Sequence, residues 1–134
     1  MKTTHIYIIV AILIVGGVIG IKTLSNKESD TATNSVTPYD TFAQCVGDSG
    51  ATFYGAYWCP HCQAQKKLFN NSKKLPYVEC STPDGKGQLP ICIDKEITGY
   101  PTWVFADGSR ENGELTFEKL AEKTGCVLPT PPQS

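Results

Sequence analysis

Apolar and polar positions divide this chain into stretches of quite different kind. From Ile6 to Ile21 the residues form an apolar run with no charge, preceded by Lys2 and followed by Lys22. The run is slightly short of a membrane-spanning helix, but reaches one if Thr3 to His5 and a snorkelling Lys22 sit at the interfaces. Residues 1–22 are therefore read as an uncleaved signal-anchor. A cleaved signal peptide is the alternative, although Val18-Ile19-Gly20 is a poor small-x-small cleavage site and no cysteine follows for a lipid anchor. Thr23 to Thr37 is nearly devoid of apolar residues and cannot bury enough surface to order itself, so residues 23–37 are expected to be a flexible linker. The tail, residues 128–134, is too proline-rich to continue a helix. The folded domain is expected over residues 38–127.

Inside the domain the periodicities alternate. Pro38 to Val46 has helical spacing and stops at Gly47. Ala51 to Gly55 reads as a strand, residues 59–70 as a helix and Tyr77 to Cys80 as a second strand, which makes a βαβ unit with parallel pairing. Ser81 to Leu89 is turn chemistry, and Ile91 to Ile97 holds one or two helical turns. Thr102 to Phe105, Asp107-Gly108 and Arg110-Glu111 read as a hairpin. Leu115 to Gly125 is an amphipathic helix with Phe117, Leu120 and Ala121 inward. Asn70-Asn71-Ser72 is a glycosylation sequon by pattern only.

Composition narrows the choice little. The chain has 134 residues, with 12 basic against 13 acidic side chains, which suits one domain and gives no charge excess for nucleic acid.

The candidate chemistry lies in Tyr57-Trp58-Cys59-Pro60-His61-Cys62, between the first strand and the helix. Cysteines at this spacing on the first turn of a helix can close a disulfide and reopen it, storing two electrons. Cys59 lies at the helix N-terminus, where unpaired N–H groups and the macrodipole favour a thiolate, so it is the candidate nucleophile. Pro60 suits the first helical position. Cys62, one turn on, is placed to resolve a mixed disulfide on Cys59. Zinc uses the same spacing but needs two further ligands, and no second C-x-x-C or H-x-H pair is present, so no metal is expected. His61 is expected to point to solvent and to tune the thiolate electrostatically.

This order of elements around a redox C-x-x-C resembles the thioredoxin fold over nearly all of Pro38 to Cys126. The resemblance implies an α/β fold with a mixed four-stranded sheet and flanking helices, here preceded by a single transmembrane helix. Ile97-Thr98-Gly99-Tyr100-Pro101-Thr102 is similar to the family's cis-proline loop, in which Pro101 would be cis and face the cysteines. Trp58, Pro60, His61, Tyr100 and Pro101 would then form one exposed surface for substrates. Thioredoxins usually carry a buried aspartate in the strand before the C-x-x-C, and Phe53 stands there instead. The dipeptide Pro60-His61 is the one found in strongly oxidising Dsb-type proteins, and a donor from His61 to the Cys59 thiolate would stabilise the reduced form.

More closely, Tyr54-Gly55-Ala56-Tyr57-Trp58-Cys59-Pro60-His61-Cys62, Tyr77-Val78-Glu79-Cys80-Ser81 and Gly99 to Phe105 resemble the thioredoxin-like domain fused to, or partnered with, bacterial homologues of vitamin K epoxide reductase. That resemblance implies a domain outside the cytoplasm that oxidises cysteines of exported proteins and passes the electrons to a quinone-linked membrane reductase. With one apolar segment the chain cannot be that reductase, so quinone would enter only through a separate partner, and the redox disulfide would be the sole cofactor. Cys45, Cys80, Cys92 and Cys126 remain, an even number, as an oxidising compartment would produce. Of three connectivities, Cys80 with Cys92 and Cys45 with Cys126 are preferred. The expected placement is a single-pass membrane protein, N-terminus inside and domain outside. The rival readings are an anchored thiol reductant or isomerase, of the cytochrome c maturation kind, and a redox-inactive chaperone.

Overall fold

The structure is a computed structural model and describes residues 36–130. The expected signal-anchor, nearly all of the linker and the end of the tail lie outside the described residues. No helix among the described residues is long and apolar enough to cross a membrane.

The chain opens with α1 (Pro38–Asp48), and its start is locally encoded. The Thr37 hydroxyl accepts from the Asp40 N–H at 3.1 Å, the Asp40 carboxylate accepts from the Thr37 N–H at 3.0 Å, and Pro38 fills the first position. The helix does not stop at Gly47 as its sequence suggests. It runs one residue further, and the positive φ of 87° falls on Gly50, which turns the chain into β1 (Thr52–Gly55). Next come α2 (Pro60–Leu68), β2 (Tyr77–Glu79), α3 (Pro90–Ile93), β3 (Thr102–Val104), β4 (Arg110–Asn112) and α4 (Phe117–Thr124).

The strands form one sheet in the order β2-β1-β3-β4. β1 and β2 pair in parallel, with Phe53 opposite Tyr77, which completes the expected βαβ unit. β3 runs antiparallel to β1 with Trp103 opposite Phe53, and β4 antiparallel to β3. This is a mixed four-stranded sheet with flanking helices, an α/β thioredoxin-like fold.

The core is aromatic. Phe53 stacks on Trp103 at 4.9 Å, and Phe42, Phe69 and Phe117 meet ring to ring on the helix side. On α4 Leu120 is fully buried, while Phe117 and Ala121 are partly buried and pack against the same core. Several elements are shorter than their periodicity implies. α2 ends at Leu68, ahead of Asn70 and Asn71 with positive φ, and α4 begins after the capping hydroxyl of Thr116 and stops at Gly125, φ 74°, whereas the single turn of α3 lies within the one or two turns expected.

Candidate active site

β1 delivers the chain to the centre of the sheet's end, and the following turn ends at Cys59. Cys59 is the N-cap of α2, one position before the first turn where its sequence put it, and Pro60 is the first helical residue. Cys59 and Cys62 are both free thiols and both buried, Cys62 completely. The Cys59 Sγ lies 3.7 Å from the carbonyl oxygen of Tyr100, the residue before Pro101, and the Tyr100–Pro101 peptide is cis.

Burial pushes the Cys62 thiol up to about 12, and the neighbouring Cys59 adds to this. A hydrogen bond with the Ala56 backbone and the charge of Lys66 act in the opposite direction. Cys62 reaches this place because residue 55 is glycine. A Cβ on Gly55 would stand 2.8 Å from the Cys62 Sγ and 2.9 Å from Cε2 of Tyr77.

The expected donation from His61 to Cys59 is not made. His61 is largely exposed, and its Nδ1 is paired with Glu114 Oε1 at 2.7 Å, so the ring is held toward the loop before α4 rather than toward the sulfur. That loop is itself fastened to α2. The Gln65 side chain, 1% exposed, donates to the Leu115 carbonyl at 3.1 Å and accepts from its N–H at 2.7 Å. Gln65 and Glu114 carry no periodic signal in the sequence, and only the docking of α2 on the loop brings them to the site.

Trp58, Pro60 and His61 are exposed beside the sulfurs, and Tyr100 is half-buried with its ring edge-on to Trp58 at 6.0 Å. Pro101 corrects the expected surface. It is fully buried at the start of β3, next to Thr102 and Trp103, which are buried too, so its ring offers nothing to a partner. Tyr57, which belongs to the motif but not to the expected surface, is exposed beside Trp58.

The turn-rich stretch after β2 holds these aromatics in place. Trp58 Nε1 donates to Ser81 Oγ at 2.8 Å, the Tyr57 hydroxyl to the Pro83 carbonyl at 3.2 Å, and Gln88 Nε2 to the Tyr100 hydroxyl at 2.8 Å. A disulfide between Cys80 and Cys92 closes that stretch, and a second joins Cys45 on α1 to Cys126 after α4. Among the described residues no three His, Cys, Asp or Glu side chains converge as a metal site would require.

No family model matches the chain. A stretch of 102 residues is 43% identical to the thiol-disulfide oxidoreductase LTO1 of Arabidopsis thaliana. The match covers 71% of this chain and 27% of that protein, so the chain spans about a quarter of the relative's length. By its sheet and by this likeness, the chain is an α/β protein of thioredoxin-like fold, similar to a thiol-disulfide oxidoreductase over most of its length.

Proposed function

We propose that the chain is a membrane-anchored thiol-disulfide oxidoreductase whose domain lies outside the cytoplasm, with Cys59 as nucleophile and Cys62 as resolving thiol. The observation that carries this reading is the division of the cysteines: Cys45, Cys80, Cys92 and Cys126 are bridged, while Cys59 and Cys62 are free, one at the N-cap of α2 and the other one turn beyond. A dithiol so placed gives two electrons to a disulfide, or takes them back, through a mixed disulfide on the outer sulfur.

In this reading the oxidised pair takes electrons from cysteines of exported proteins. A separate quinone-linked membrane reductase, of the vitamin K epoxide reductase kind, then reoxidises it. The two bridges support an oxidising compartment, and hence this direction of flow. Substrate and reductase would meet the surface formed by Tyr57, Trp58, Pro60, His61 and Tyr100, whose exposed apolar rings suit weak binding of many unfolded chains.

The experiment is a pair of serine variants in cells that export the protein. Cys62→Ser should accumulate mixed disulfides with client proteins, because the adduct on Cys59 can no longer be displaced from within. Cys59→Ser should form none and have no activity. Trapping by Cys59→Ser would reverse the two roles.

A further inference from the structure

A buried thiol that has to become an anion needs a charge near it that favours the anion. Phe53, at the position where thioredoxins carry an aspartate, supplies nothing polar: it is buried against Trp103 and Tyr77. The structure offers another group. Lys66 follows Cys62 by four residues on α2, so the two side chains share a face of the helix.

Lys66 Nζ sits 3.3 Å from the centroid of the Tyr77 ring, and the edge of that ring flanks the gap beside Gly55 into which the Cys62 sulfur projects. The ring is fixed in turn. Its hydroxyl donates to Glu79 Oε2 at 2.6 Å, and Glu79 Oε1 accepts from the N–H groups of Ser81 at 2.9 Å and Tyr57 at 3.2 Å.

We propose that Lys66 is a positioning residue for disulfide closure: held over Tyr77 by the Glu79–Tyr77 pair, its ammonium stabilises the Cys62 thiolate as that sulfur attacks the mixed disulfide on Cys59. The proposal rests on the oxidoreductase reading given above. In the step, the Cys62 thiol releases its proton to solvent and its sulfur forms the bond to Cys59 Sγ. The bond between Cys59 and the partner's sulfur breaks, and that sulfur leaves as a thiolate. Two electrons thereby pass from the dithiol to the partner's disulfide.

The groups facing Cys62 agree with this. From its own helix and cap come Lys66 and Cys59, and from β2 come Tyr77 and Glu79, with Lys73 facing Lys66. Of these charged and titratable groups Lys66 alone favours the Cys62 thiolate, beside the hydrogen bond from the Ala56 backbone, while burial lowers the value of Lys66 itself and Glu79 and Cys62 oppose that. Among the described residues Lys66 has no carboxylate within ion-pair distance, so its charge is not spent on a direct partner.

The test follows the reduced full chain mixed with one equivalent of 5,5'-dithiobis(2-nitrobenzoate) by stopped flow. Attack by Cys59 releases the first coloured thiolate, and closure by Cys62 releases the second. In Lys66→Met the second release should slow about tenfold at neutral pH and its pH profile should move up by about one unit, with the first release changed less than about twofold. Lys66→Arg should restore the second release. Should the methionine variant not fold, Lys66→Gln is read in the same way. A second release that is unchanged without the charge, or as slow in Lys66→Arg as in Lys66→Met, overturns the proposal while leaving the oxidoreductase reading in place. A wild-type protein with no second release overturns both.

Discussion

At the scale of single residues, the site sets apart two chemically identical groups. Cys59 caps the helix beside the Tyr100 carbonyl, while Cys62 is completely enclosed and its thiol is pushed up to about 12. The sign of the pH dependence follows. A thiol whose value is raised stays protonated until higher pH, so over the range below about 12 each unit of pH multiplies the thiolate fraction of Cys62 about tenfold. In a mixed disulfide the contribution of the Cys59 thiol is gone but burial, the largest cause, remains, so closure of the Cys59–Cys62 bond should accelerate with pH, with a slope near one on a logarithmic plot between about pH 6 and 9. Rapid-quench measurement of the closure rate checks this, and a rate already level below pH 8 would contradict the burial of Cys62. The cysteine pair at the start of α2 and Pro60 as its first residue can be read from six consecutive residues. The His61–Glu114 pair cannot, because its partners are 53 positions apart and nothing local links them.

Among the elements, α2 carries most of the site and is held at both ends of its inward face. Cys62 packs under Gly55, and Gln65 clamps the backbone of Leu115 in the loop that presents Glu114. Gln65→Ala leaves a buried N–H and a buried C=O without their partners. It should therefore cost about 2–4 kcal/mol in denaturant unfolding. The same variant should loosen the His61–Glu114 pair, seen as a change in the His61 imidazole signals by NMR. The starts of α1 and α4 are capped locally by Thr37 and Thr116, a matter of one hydroxyl and the first turn, although periodicity alone put Thr37 in the linker and began the last helix at Leu115. Of α2 and α3, periodicity overruns only the end of α2, where helical spacing continues to Asn70 while Asn70 and Asn71 take positive φ; the single turn of α3 lies within the one or two turns expected.

For the whole molecule, the disulfides join parts that the sheet alone does not hold together. Cys45–Cys126 ties the first helix to the end of the last across 81 residues, whereas Cys80–Cys92 closes a separation of 12. If loop closure in the unfolded chain dominates, removing the long bridge by Cys45→Ala with Cys126→Ala should cost about 4.5 kcal/mol, and removing the short one about 3 kcal/mol. Equilibrium unfolding of the two double variants checks the order. The short bridge has a further consequence, because its loop carries Ser81 and Gln88, the partners of Trp58 and Tyr100. On the proposed function, its loss should weaken the binding of exported clients more than its smaller effect on stability suggests.

What the sequence determined by itself was the order of elements, the parallel βαβ start, the hairpin and the cysteine motif. Each depends on period, turn residues and spacing, which act over a few positions. Only the tertiary structure decided which polar groups surround the sulfurs. Lys66 over Tyr77, Glu79 on the Tyr77 hydroxyl, Gln65 on Leu115 and Glu114 on His61 all depend on the register of β2 against β1 and on the docking of α2 against the loop before α4. Exposure was decided there as well. Pro101 was legible as a loop landmark, but a proline beginning an inner strand is covered on both faces, and no local pattern reports on what packs above it.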